Sequence, residues 1–209
     1  MPPIITGKMD PTTGFLDRYS CLQMATELVG RVRKDGQPLA ALWIDLDRFK
    51  QVNESYGYRS GDSVIAYIAQ RLRENIGGRA EIGRMGADEF VCLLPDFNRD
   101  HAERLAAELM LAIEMPLEMG EVQLRPSASI GIAILEPSDA TFSFLERADR
   151  AKISAKQQGG NRYVVSGDEL VSGRMGTLLA REELAVEYML FNALETGGLQ
   201  LHYQPIIGF

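Results

Sequence analysis

The chain is short of cysteine, of positive charge and of long hydrophobic runs. Its only two cysteines among 209 residues, Cys21 and Cys92, form no CxxC pair and make no disulfide framework. A reducing cytoplasm fits. Cys92 lies in the apolar run Phe90-Val91-Cys92-Leu93-Leu94 and reads as a buried thiol. Lys and Arg total 22 against 29 Asp and Glu, a formal net charge of -7. Such a chain is a poor general binder of nucleic acid polymers, whose affinity comes from basic groups displacing counterions. A small phosphate ligand stays open, because a metal ion can sit between carboxylates and phosphates. No apolar run approaches the roughly 20 residues of a membrane span. The opening MPPIITGKMD lacks the apolar core of a signal peptide. The segment therefore reads as soluble, cytoplasmic and free of membrane contact, with membrane segments outside it left open. At 45% hydrophobic and 24% charged residues, the composition speaks against long disorder, collagen and coiled coil. The length suits one large domain, alone or with a fragment of another.

What is present alternates between strand and helix patterns. Residues 15–33 carry apolar groups at helical spacing, and Gly36 and Pro38 break the chain behind them. Leu39 to Asp45 is a nearly continuous apolar run, a buried central strand ending in acids. Residues 62–76 place Val64, Ile65, Ile68, Leu72 and Ile76 on one helical stripe, with Asp62 or Ser63 as its cap and Gly77-Gly78 as its end. Glu81–Arg84 and Glu89–Leu94 form a hairpin with an acidic tip. Asp100 with Glu103 resembles a capping box before another helix. Val122–Leu124 and Ala128–Leu135 read as strands, Phe142–Gln158 as a helix stopped by Gly159-Gly160, and Tyr163–Val165 as a closing strand. The class is α/β or α+β with one sheet.

Two acidic clusters stand out. Asp45-Leu46-Asp47 ends the buried strand, and Asp88-Glu89 occupies the hairpin turn. Carboxylates so placed can converge on a divalent cation, and Mg²⁺ favours a few carboxylates plus phosphate oxygens. Turn formers and solvated hairpin charge explain the same residues at least as well, because acid-rich turns are common.

Resemblance to a known family tips that balance. The segments IDLDRFKQVNESYGYRSGD (44–62), RMGADEFVCLLP (84–95), SIGIA (129–133) and ADRAKISAKQQGGNR (148–162) are similar, in order and spacing, to the GGDEF family. DPTTGFLDR (10–18) resembles that family's opening motif, with Thr12 and Asp17 as departures. The resemblance implies a palm-like fold related to nucleotidyl cyclases and polymerases: a central mixed β-sheet flanked by helices. It implies diguanylate cyclase chemistry, in which two GTP molecules are joined into cyclic di-GMP across a two-fold dimer. By position, Asp45, the Leu46 carbonyl and Asp88 match ligands of Mg²⁺ (or Mn²⁺). Asp88 and Glu89 match the catalytic pair of the signature, with Asp88 also a possible base. Asn53 and Asp62 match the pair that binds guanine, whose N1 and N2 donors suit a carboxylate. The amides near Arg48 and Phe49 match the phosphate cradle, and Lys156 matches a lysine on the terminal phosphates. Taken singly, Asp62 reads equally well as a helix cap, Asn53 as part of a Tyr-Gly turn and Lys156 as solvated charge.

The pattern also breaks. The signature reads Gly86-Ala87-Asp88-Glu89-Phe90, with Ala for the second Gly. If that position needs φ > 0, Ala costs about 1–2 kcal/mol and threatens the placement of Asp88; with φ negative it is nearly harmless. Gly160 replaces an arginine that contacts phosphate, a bond of about 1.5–3 kcal/mol; Arg162 lies two residues on. Lys152 and Ile153 stand where the family often has an apolar residue and Tyr, and Tyr58 replaces a frequent His. An RxxD inhibitory site for product is expected to be absent, since Gly77-Gly78-Arg79-Ala80 stands in its place.

The tail NALETGGLQLHYQPII (192–207) resembles the start of an EAL domain, the family of cyclic di-GMP phosphodiesterases. The expected organisation is a GGDEF domain over 1–166, a linker over 167–180 and the first part of an EAL domain over 181–209. The plainer alternative is a private C-terminal helix and strand. Three functions are compatible with these residues. One is a degenerate GGDEF domain that binds GTP with Mg²⁺ and regulates an attached EAL phosphodiesterase. The second is a working, slow cyclase that acts as a homodimer. The third is a dimerisation or relay module without nucleotide.

Overall fold

The computed structural model describes residues 7–168 except Glu121. They lie in the first of two units into which the chain divides, Met1–Leu170 and Val171–Phe209. The EAL-like tail and its linker from residue 169 onward fall outside the described residues.

A five-stranded mixed sheet runs in the order β2-β3-β1-β6-β7. Its strands are β1 (Leu39–Leu46), β2 (Glu81–Arg84), β3 (Glu89–Pro95), β6 (Ala128–Ile134) and β7 (Arg162–Val165). β1 is central and antiparallel to both β3 and β6, and β7 joins β6 in parallel. Every residue of β1 is buried, as a strand covered by helices on both faces requires. Helices α1 (Arg18–Asp35) and α5 (Thr141–Gln157) touch each other and pack on one side, while α3 (Tyr58–Ile76) and α4 (Arg99–Ile113) pack together and share the other side's core. A two-stranded ribbon of β4 (Leu117–Met119) and β5 (Val122–Leu124) lies apart from the sheet.

Strand alternation decides which charges meet. Ala40, Leu42, Ile44 and Leu46 join the core shared with α3 and α4. Leu39, Ala41, Trp43 and Asp45 therefore face α1 and α5. Asp45 pairs directly with Glu89 of β3, so Glu89 faces α5 as well. Two glycines let the helices come that close. A Cβ on Gly131 of β6 would lie 1.9 Å from the Ala148 carbonyl and 2.2 Å from the Lys152 nitrogen, both in α5. A Cβ on Gly83 would lie 2.3 Å from Cys21 Sγ of α1. Both cysteines are buried and free, and burial pushes both thiols up, Cys21 to about 12.

Four expectations need correction. A helix α2 (Phe49–Tyr56) precedes α3; its eight residues carry too few apolar groups for a recognisable stripe. Asp62 and Ser63 lie inside α3 rather than capping it, because Gly57, with φ 82, starts the helix one residue before Tyr58. α4 is capped by Asn98, whose side chain accepts from the His101 amide, and Asp100 is only an acid in its first turn. β4 was absent from the expected elements: three residues are too short to show alternation. Gly77 ends α3 as expected, with φ 59. Arg79 folds back there, its Nε donating to the Ile76 carbonyl at 2.9 Å.

Gly131→Ala should lower the unfolding free energy by about 3 kcal/mol, read as a lower urea midpoint at unchanged slope, because the added methyl would have to displace α5 backbone.

Candidate functional site

The acidic end of β1 and the β2–β3 hairpin come together. The Leu46 amide donates to the Asp88 carbonyl at 3.2 Å, tying strand end to turn. The turn closes through the Met85 amide and the Glu89 carbonyl at 2.8 Å. Two arginines hold its outer backbone: Arg18 donates to the Met85 carbonyl at 2.8 Å and Arg84 to the Ala87 carbonyl at 2.7 Å. Arg84 also pairs with Asp10 of the opening motif, at 3.1 Å. Asp17 of that motif caps α1 by accepting from the Ser20 amide at 2.8 Å, a role that Asp fills as well as Asn. Ala87 stays outside the positive-φ region; among the described non-glycine residues only Arg48, Asp96 and Asn161 enter it. The alanine in the signature therefore imposes no backbone strain, and Asp88 keeps its place beside the end of β1.

Asp45 and Asp47 have opposite fates. The Asp47 carboxylate accepts from Ser127 Oγ at 2.8 Å, Ser129 Oγ at 2.7 Å and the Asn161 amide at 2.8 Å. It ties β1 to β6 and to the loop before β7, and its lone pairs are spent on structure. Asp45 is 7% exposed. Lys156 Nζ lies 2.5 Å from its Oδ1 as an ion pair, and Lys152 Nζ lies 3.7 Å from Oδ2. A buried carboxylate beside half-buried Asp88, met at Oδ1 by a lysine that is itself 39% exposed and so displaceable, fits a divalent cation. Among the described residues no three His, Cys, Asp or Glu side chains form a metal cage. A cation there would rest on the two carboxylates and complete its shell with water and phosphate, as Mg²⁺ can.

Lys152 is the residue that sequence reasoning noticed only as a departure. It is 5% exposed. Its Nζ lies 2.6 Å from Glu89 Oε1 and 2.7 Å from Asp149 Oδ1, and 5.5 Å from the centroid of the Trp43 ring. Asp149, Lys152 and Lys156, at spacings of three and four, share the face of α5 that meets the sheet. Charges on a helix's buried face were the available signal. Burial would push Lys152 down, but the Asp149 and Glu89 carboxylates outweigh it and hold the ammonium above its usual value. Burial raises Asp45 to about 6, against the pull of Lys156 and Lys152. Burial also raises Asp88, with Lys156 opposing it and Glu89 adding to it.

The remaining predicted residues line up along α2 and the start of α3. Arg48 adopts φ 57 at the N-terminus of α2, where no side chain caps the helix. Phe49 is buried beneath it. Asn53 is half-buried and Asp62 exposed. Gly61 makes room for Asn53: a Cβ there would fall 1.9 Å from Asn53 Oδ1. Phe15, in the opening motif, packs edge-on against Phe90 and beneath the Arg73 guanidinium. A cavity of about 460 Å³ borders α2, between Val52, Tyr56, Arg125 and Asn161. It shares Leu46, Arg48 and Phe49 with the predicted site, but Asp45, Asn53, Asp62, Asp88 and Lys156 do not line it. Arg162 turns back on its own loop, with Nε 3.3 Å from the Gly160 carbonyl.

Sheet order, helix placement and the carboxylates at the β1 end define a palm-like α/β domain. A family model described as "Diguanylate cyclase, GGDEF domain" matches residues 7–162, and the chain belongs to that family. It is 36% identical over 173 residues to the bifunctional diguanylate cyclase/cyclic di-GMP phosphodiesterase MucR of Pseudomonas aeruginosa, covering 82% of this chain and 24% of that protein. It is 31% identical over 203 residues to the cyclic di-GMP phosphodiesterase NbdA of the same organism, covering 96% of this chain and 25% of NbdA. The chain thus spans about a quarter of the length of these relatives. Among solved structures, the GGDEF domain of YfiN (TpbB) from P. aeruginosa superposes with a TM-score of 0.73 at 28% identity, covering 76% of this chain and 94% of that one. The GGDEF domain of DgcB from Caulobacter crescentus, at 23% identity and a TM-score of 0.74, shares the fold over 76% of this chain and 95% of its own.

Burial at Asp45 has a measurable cost. Below about pH 4 its carboxyl is protonated whether the chain is folded or not. As pH rises through 6 the folded chain must give up a proton it holds more tightly than the unfolded chain does, so stability falls across that window. In chelator at pH 8, Asp45→Asn should unfold at higher urea, by about 1–3 kcal/mol, and should lack that share of the fall between pH 4 and 6.

Proposed function

We propose that this domain binds GTP together with a divalent cation within a cyclic di-GMP signalling protein, and that nucleotide occupancy regulates a phosphodiesterase unit in the same chain. The observation that carries this reading is the buried Asp45 carboxylate beside Asp88, costly to ionise where it lies and met at Oδ1, among the described residues, only by the partly exposed, displaceable Lys156. Asp45, Asp88 and the Leu46 carbonyl would hold the cation. When bound, that ion supplies charge neutralisation for the phosphates. The uncapped amides at Arg48 and Phe49 would take phosphate oxygens, and Lys156, exposed enough to turn from Asp45, would meet the terminal phosphates. Asn53 and Asp62 would read the guanine edge. MucR and NbdA, which are similar to this chain, support a setting in which such a domain accompanies a phosphodiesterase, and the tail at 192–207 supports an EAL unit as the regulated partner.

A second reading, slow synthesis of cyclic di-GMP by a homodimer, is favoured by one observation: Ala87 is unstrained, so the signature turn holds Asp88 without distortion. Against full activity stand Gly160, which offers no guanidinium, and Lys152, which occupies Glu89.

Calorimetry of the full chain with GTP and Mg²⁺ should show binding, weakened at least tenfold by Asn53→Ala; absence of binding at millimolar GTP overturns the proposal. Chromatography of the same samples separates the two readings. Cyclic di-GMP above the level of an Asp88→Asn control establishes the cyclase, and its absence alongside GTP binding leaves the regulatory role.

A further inference from the structure

Lys152 is a charged side chain sealed at the seat of a cation. Glu89 at 2.6 Å, Asp149 at 2.7 Å and the Trp43 ring surround its ammonium, with Asp45 Oδ2 at 3.7 Å. Its residue is 5% exposed, so the ammonium is held largely out of water by these partners. Lys156 differs: its side chain is 39% exposed and, among the described residues, its one ion pair is with Asp45, so it can withdraw when a ligand arrives. An incoming dication can therefore displace Lys156 but must coexist with Lys152.

We propose that Lys152 is a resident counter-cation of the Asp45–Asp88 site, which keeps the affinity of the nucleotide-free domain for a lone divalent ion low and makes the ion enter together with phosphate. The inference rests on the reading that Asp45 and Asp88 hold the ion. A fixed positive charge a few ångströms from a dication repels it strongly in a partly buried setting. The same charge satisfies Glu89, removing that carboxylate from the set available to a metal. An ion that arrives with phosphate oxygens brings its own negative charge and meets less repulsion. Lys152 is thus a positioning residue acting through charge, and it couples metal affinity to nucleotide.

The test uses Mn²⁺ as probe, with the free ion counted by electron paramagnetic resonance during titration of the full chain. Without nucleotide, Lys152→Met should bind Mn²⁺ at least tenfold more tightly than the parent. Asp149→Asn, which keeps the ammonium, should not. The double variant Asp149→Asn/Lys152→Met removes the more deeply buried pair as a unit and leaves only Glu89, whose side chain is 25% exposed, without its close ammonium; it should show the same tightening and serves where the single variant does not fold by circular dichroism. Unchanged or weaker Mn²⁺ binding by a folded variant overturns the proposal, and the function above stands if the parent binds Mn²⁺ in the presence of GTP. Failure of all these proteins to bind Mn²⁺ even with GTP overturns both.

Discussion

A carboxylate on the helix-covered face of a central strand is the constraint around which this domain is arranged. Alternation along β1 turns Asp45 toward α5, and the antiparallel pairing with β3 brings Glu89 beside it. Water is largely excluded at Asp45, so the negative charge must be met from within. Helix α5 meets it with Lys152 and Lys156, and Asp149 balances the first of these. The electrostatics of the site and the packing of α5 on the sheet are consequently one problem, solved on one helix face. Buried charges of this kind are poor sources of stability.

The hairpin and the opening loop serve that arrangement from the other side. Arg84 grips both the turn and Asp10, and Arg18 reaches the turn from α1. Each is a charge-assisted contact to backbone or carboxylate at an edge where a loose turn would move Asp88. Asp47 does the corresponding work at the opposite corner, where three donors fix it between β6 and the loop before β7. Asp45 and Asp47 thus differ in kind: Asp47 is held by hydrogen bonds from three neutral donors, and Asp45 by lysine charge.

Much of this was legible before the structure. The run Leu39–Asp45, the hairpin around Ala87, the α3 stripe ending at Gly77 and the α5 helix stopped by Gly159 followed from periodicity and breakers. The matched motifs pointed to residues that the fold brings to the β1 end and α2. What escaped has physical reasons. Helix α2 is too short and polar to declare itself, and Gly57 starts α3 earlier than any side-chain cap could indicate. Asp47 and Asp45 look alike in sequence, because alternation assigns them the same face and only the Ser127, Ser129 and Asn161 donors tell them apart. Lys152 looked like a neutral departure, since its burial depends on partners from two distant strands, β1 and β3, besides Asp149 on its own helix.

Gly131 has a reach beyond packing. It lies against the backbone of both Ala148 and Lys152, so it fixes how far α5 stands off the sheet, and with it the distance from every charge on that helix to Asp45. Side chains at 149, 152 and 156 can be exchanged one at a time, each altering the field by its own charge. The gap itself cannot be adjusted in such steps, since any side chain at 131 would shift all three together. The glycine is therefore the ruler against which the site's charges are set: substitutions along α5 change which charges the helix carries, not how near it brings them.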